Sequence, residues 1–131
     1  MPLHCTAGGK LYLADLSARE REILLEHLPM PQRTSNTITG QDALRRDLQQ
    51  AATDGVAYDR EEFIQGMIAV AVPIRSKQGV LLGALGMHAP GVRHGPDGLW
   101  SFLPTLRAGA AGLAAVLEHE GSPPAAGITA L

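Results

Sequence analysis

The 131-residue chain has a formal charge of −2, with 45% hydrophobic and 18% charged residues, a composition that suits one soluble globular domain and is too short for two of usual size. Its basic residues are scattered from Lys10 to Arg107, and its aromatics are one Trp, two Tyr and two Phe, which argues against a phosphate-binding face or a base-stacking platform. A single cysteine, Cys5, excludes an internal disulfide; with no run near ~18 consecutive apolar residues and no basic-then-apolar leader, the expectation is a cytoplasmic protein without membrane contact.

The opening stretch HCTAGGKLYLADL places Thr6 as an N-cap before Gly8 and Gly9, so a short helix with a bare first turn is predicted. Exposed amides at such a turn attract anions, although a Gly-rich turn also serves close helix-to-sheet contact. Ser17 and Glu20 form a capping box that opens a second helix, which stops before Pro29. After a polar loop, Thr39 is the expected cap of a third helix from Gly40 to about Thr53, with Leu44, Leu48, Ala51 and Ala52 as its apolar stripe and Gly55 as its stop signal. Val56 to Asp59 reads as a short strand.

Two apolar runs within 59–90, joined by the polar loop Ser76 to Gly79, read as a hairpin. Alternation puts Met67, Ala69, Ala71 and Pro73 on one face and Ile68, Val70, Val72 and Ile74 on the other. In the second run Ala84, Gly86 and His88 fall together, opposite Leu81, Leu85 and Met87. Closing Arg75 onto Val80 would pair Ala71 with Ala84, Ala69 with Gly86, and Met67 with His88. A row of small residues leaves volume that either a close helix or a ligand must fill, and His88 at its end points toward a site. The leucines and alanines from Leu99 to Leu117 then recur at three and four residues, so Gly98 to about Glu120 is predicted as an amphipathic helix with Pro104 marking a kink or a delayed start. Residues 121–131 lack any period and are expected to be disordered, leaving one domain over 1–120.

No catalytic constellation emerges. His4 and Cys5 are adjacent but have no orienting third group, and His4, His27, His88, His94 and His119 show no metal-ligand spacing. Asp59 with Glu62 fits a capping box over a single turn; its functional alternative is a carboxylate that accepts a hydrogen bond from a ligand hydroxyl or from a helix amide. No metal, no cofactor and no enzymatic activity are expected.

In order and spacing, HCTAGGK, PQRTSNTITGQDALRRDL, GVAYDREEFIQGMIAVAVPI and GVLLGALGMHAP resemble the effector-binding domain of IclR-type transcriptional regulators, from His4 to about Leu117. The resemblance implies an α+β, GAF-like fold: an antiparallel sheet flanked by helices, with a small-molecule pocket on one side. It implies ligand contacts from the amides of Ala7 and Gly8, from Asp59 and Met67, and from Ala69, Gly86 and His88. The family often has Cys at the position of Ala69 and a larger residue at that of Gly8, so a larger or flatter organic acid than the smallest oxoacids is expected as effector. The resemblance also implies that this chain is truncated at its N-terminus, without the winged helix-turn-helix, so that DNA would be bound only through a domain absent here and a dimer or tetramer would complete the sheet. Two other readings remain: a small cytosolic enzyme using Asp59 and His88 as acid and base, and a dimerisation domain whose small face is filled by side chains.

Overall fold

The computed structural model describes residues 2–91 and 98–119, and the backbone of 128–130. Helix α1 (Ala7–Asp15) is capped by Thr6, whose Oγ accepts from the Gly9 amide at 3.1 Å. Helix α2 (Ala18–His27) opens on the expected Ser17 cap, with the Glu20 amide donating to its Oγ at 3.1 Å. Helix α3 (Gln41–Asp54) starts at Gly40, with no side-chain cap, so the Thr39 cap is corrected by one residue. Its stripe is Leu44, Leu48 and Ala51, while Ala52 faces solvent. At its end Gly55 takes φ 66, a left-handed turn that a side chain would strain.

Strands β1 (Ala57–Arg60), β2 (Met67–Arg75) and β3 (Leu81–Pro90) form an antiparallel sheet in the order β1-β2-β3. The hairpin register differs from the expected one by two residues: Ala71 pairs with Gly86, Ala69 with His88, Met67 with Pro90, and Pro73 with Ala84. Two separate insertions produce this shift. Val80 joins the turn, its carbonyl accepting from the Ser76 amide at 2.9 Å, so that Arg75 meets Leu81. A bulge at Ile74/Arg75 then brings Ile74 opposite Gly83 and turns Leu82 toward the bulky side, where Leu81 had been expected. A one-residue slip would have exchanged the two faces; the second insertion restores them, so the small residues still face one way.

The two faces have different cores. On the bulky face Ile68, Val70, Val72 and Ile74 pack with Leu106, Ala110 and Ala114 of the last helix, α4 (Leu103–His119). Pro104 lies in its first turn, where a missing N–H costs nothing, so the delayed start is the alternative realised. By length and composition Gly98–His119 could cross a bilayer, but its inner stripe is buried on the sheet. On the small face Ala57, Ala69, Ala71 and Ala84 meet Ala7 and Leu11 of α1 and Ala51 of α3. Leu13, Leu25, Leu44 and Leu48 form a third cluster that holds the three N-terminal helices together.

Strand β4 (Ile128–Ala130) pairs in parallel with β3, Gly83 opposite Ile128. The rest of the tail and residues 92–97, including His94, lie outside the described residues.

Close approach of the Leu3 segment to α1 requires Gly9. A Cβ there would lie 2.7 Å from the Leu3 Cα, 2.7 Å from Thr6 Oγ and 2.9 Å from the Leu3 carbonyl oxygen. Two of these are backbone atoms, which cannot rotate aside. Gly9→Ala is therefore expected to destabilise the chain by about 1–3 kcal/mol despite the higher helix propensity of alanine, as a lower midpoint in urea denaturation; an unchanged midpoint would show that the N-terminal turn yields freely.

Candidate ligand-binding site

Parity and register bring most of the expected residues together. Asp59 on β1 lies opposite Ala69 on β2, which lies opposite His88 on β3, so the three form one row across the sheet. The adjacent row is Ala57, Ala71 and Gly86. Met67 lies at the near end of β2 on the same face, opposite Pro90. Ala7 belongs to the cluster that covers Ala69 and Ala71, and Gly8 follows it at the first turn of α1.

The face is only partly open. Ala69 and Ala71 are fully buried and pack with Ala7 and Leu11 of α1 and Ala51 of α3. Alanine on strand and helix alike lets the two backbones approach closely. Gly86 and Met67 are half-buried and His88 is exposed, so the accessible part of the face is its β3 side, beyond α1. Two hollows among the described residues, about 300 Å³ and about 160 Å³, lie instead at the other end of β2, around Pro73 and Arg75.

Three groups define the chemistry beside α1. The Ala7 and Gly8 amides have no acceptor among the described residues, since Thr6 satisfies Gly9 and the Thr6 carbonyl receives the Lys10 amide at 3.0 Å. Such amides, at the positive end of the helix dipole, favour an anion. Asp59 is buried, and its Oδ1 accepts from the Glu62 amide at 2.8 Å. Burial pushes its carboxyl above the ordinary aspartate range, against the pull of the Glu62 and Phe63 amides. The Arg60 amide in turn donates to Glu62 Oε2 at 2.9 Å, closing the turn that the capping-box reading anticipated. Among the described residues no hydrogen bond joins Asp59 to His88; they stand two strands apart, about 10 Å.

Cys5 and His4 do not form a reactive pair. The His4 Nε2 lies 3.0 Å from the Pro31 carbonyl, and burial, with the Asp59 charge, pushes the Cys5 thiol up to about 11. A thiol so raised stays protonated and unreactive at neutral pH.

Lys10 escaped the sequence reading. It is fully buried, and its Nζ reaches Asp47 Oδ2 at 2.5 Å, Glu62 Oε1 at 2.7 Å and the Tyr58 carbonyl at 2.8 Å. One ammonium thus ties α1 to α3, to β1 and to the turn that holds Asp59. The available signal was its position in the otherwise bare AGGKL segment, where a helix facing a sheet leaves little room for a solvated lysine.

A family model described as the bacterial transcriptional regulator IclR C-terminal domain matches residues 1–115. The chain belongs to this family. It is 37% identical over 107 residues to a probable transcriptional regulator, SauR, of Cupriavidus necator, covering 82% of this chain and 42% of that protein. A transcriptional regulator from Rhodococcus sp. RHA1 superposes with a TM-score of 0.88 at 29% identity, covering 93% of this chain and 50% of the other. The inducer-binding domain of the PobR transcription factor from Acinetobacter, solved as a double mutant with 3-hydroxybenzoic acid, gives 0.82 at 30% identity over 87% of this chain and 68% of the other. The chain thus spans less than half the length of the C. necator regulator, corresponding to the C-terminal effector-binding part of an IclR-type protein. The GAF-like α+β fold implied by the resemblance holds.

In this IclR-type domain the buried lysine is structural. Lys10→Met would leave the Asp47 and Glu62 carboxylates without their cation, so a loss of about 3–5 kcal/mol is expected in chemical denaturation. A loss below about 1 kcal/mol would place the pair among solvated ion pairs of little consequence.

Proposed function

We propose that the chain is the small-molecule-sensing domain of an IclR-type transcriptional regulator and that its effector is an organic acid. The carboxylate would rest on the amides of Ala7 and Gly8, and the body of the acid would lie along Met67, Gly86 and His88, with the wall of Ala69 and the Asp59 turn behind it. His88 would donate a hydrogen bond or pair with the anion. The observation that carries this reading is the alignment of Asp59, Ala69 and His88 in one row beside a helix start whose first amides lack an acceptor among the described residues. Membership of the family and the 3-hydroxybenzoic acid bound by the Acinetobacter inducer-binding domain support it.

The burial of Ala69 limits where the guest sits. A ligand on the β3 side can touch Gly86 and His88 without displacing α1, which suits a flat acid lying along the strand. Asp59, with Oδ1 committed to the Glu62 amide, can shape that wall or accept a bond from a ligand hydroxyl through its second oxygen. We assign no catalytic role: the matched relatives bear regulator names, and Asp59 and His88 stand too far apart for a shared proton. In the full regulator, effector binding would bias the arrangement of subunits in a cytoplasmic homo-oligomer, and DNA would be contacted by a part outside this chain.

Calorimetry with aromatic and aliphatic acids, including 3-hydroxybenzoate, tests the assignment. At least one acid is expected to bind, with Gly8→Glu abolishing binding and His88→Ala weakening it roughly tenfold or more. Binding untouched by Gly8→Glu would remove the acid from the α1 amides.

A further inference from the structure

The larger hollow exists because β1 is short. Pairing between β1 and β2 stops at Ala57 opposite Ala71, so Val72 to Arg75 run on without a neighbour on that edge. Gly55, in its left-handed turn, swings the chain away at this point, and nothing lies within 4 Å of where its Cβ would be. Above the gap passes α4. The result is a hollow of about 300 Å³ lined by Gly55, Val72, Pro73, Ala110 and Ala111, with Arg75 and Arg107 at its polar margin. That volume sits at the lower end of small-molecule sites, about 300–1,000 Å³.

Its chemistry is asymmetric. The floor is apolar, since Val72 and Ala110 are buried core residues, and Pro73 offers no N–H. Both charged groups at the margin are cationic. Arg107 Nη2 donates to the Asp54 carbonyl at 3.2 Å, which fixes the guanidinium at the end of α3, and among the described residues it makes no ion pair. Arg75 Nη1 is shared between Asp15 Oδ1 at 2.8 Å and the Gly79 carbonyl at 3.2 Å, leaving its other N–H groups for a ligand. Of the neighbouring carboxylates, Asp54 accepts from Gln50 at 2.7 Å and Asp15 pairs with Arg75 at 2.8 Å, so Arg107 is the margin's cation without an ion pair among the described residues.

We propose that this hollow is a second ligand site, distinct from the face beside α1, that takes a small organic monocarboxylate with an apolar body of about one ring. The ring lies on Val72 and Ala110 and the carboxylate meets the guanidiniums of Arg107 and Arg75, a pairing that planar forks favour. Because α4 forms one wall and the unpaired edge of β2 the other, an occupant here touches α4, which the α1 site does not.

Benzoate titration followed by backbone amide chemical shifts tests the site, with benzamide as the neutral control. Benzoate is expected to move the amides of Arg75, Arg107 and Ala111 while benzamide does not, and Arg107→Glu is expected to weaken the response at least about tenfold. Ala111→Trp, an exposed position whose enlargement fills the hollow without touching the core, should abolish it; Gly8→Glu should leave it intact. Shifts confined to Ala7, Gly8 and His88, an equal response to benzamide, or a response that survives both Arg107→Glu and Ala111→Trp would overturn the second site, the first of these while still supporting the site beside α1.

Discussion

The structure depends on how closely α1 lies against the sheet. Alanines at 57, 69, 71 and 84 present almost no side chain, Ala7 answers from the helix, and Gly9 lets the Leu3 segment cross at a distance no Cβ would tolerate. Everything at the candidate site follows from that contact. The first amides of α1 are delivered to the rim of the small face, and its more accessible residues are Met67, Gly86 and His88. Larger side chains on either partner would lift the helix and with it the anion-attracting turn.

Close packing fixes the distance, while Lys10 ties the helix to its neighbours. An ammonium taken wholly out of water is costly unless it is paired and hydrogen-bonded; here two carboxylates and a carbonyl meet it. Each partner belongs to a different element, so α1 cannot shift without breaking bonds to α3, β1 and the Asp59 turn together. Glu62 matters twice in this network, receiving Lys10 on one oxygen and the Arg60 amide on the other. A ligand resting on the α1 amides would therefore press on a connected frame rather than on a loose terminus, which gives a sensor a route from its site into the body of the domain.

Much of this was legible from residue order. Thr6 and Ser17 announced their helices because capping is local chemistry, and the small and bulky faces followed from alternation alone. The register was not legible, since nothing in Ser76 to Gly79 reveals that Val80 would join the turn or that a bulge would follow at Ile74; the faces survived because the two errors summed to an even number. The N-cap of α3 is Gly40 rather than Thr39, one residue later than the sequence suggested. The occupation of the small face was an open choice between helix and guest. Part of the answer lay in three-dimensional contacts between Ala7, Leu11 and Ala51 and the strands, which residue order does not show. Lys10 was missed for a similar reason, as its partner Glu62 is 52 positions away. Family membership supplied what periodicity could not, the expectation of an effector-binding role.

The central claim is that the alanine face holds α1 in place. Hydrogen exchange on an Ala71→Leu variant tests it most directly, because the added branches would occupy the space that Ala7 and Leu11 now fill. The expected result is a selective loss of protection in the amides of α1, with those of α4, on the opposite face, retaining theirs. Protection that stays unchanged in α1, or that falls equally in α1 and α4, would contradict the claim.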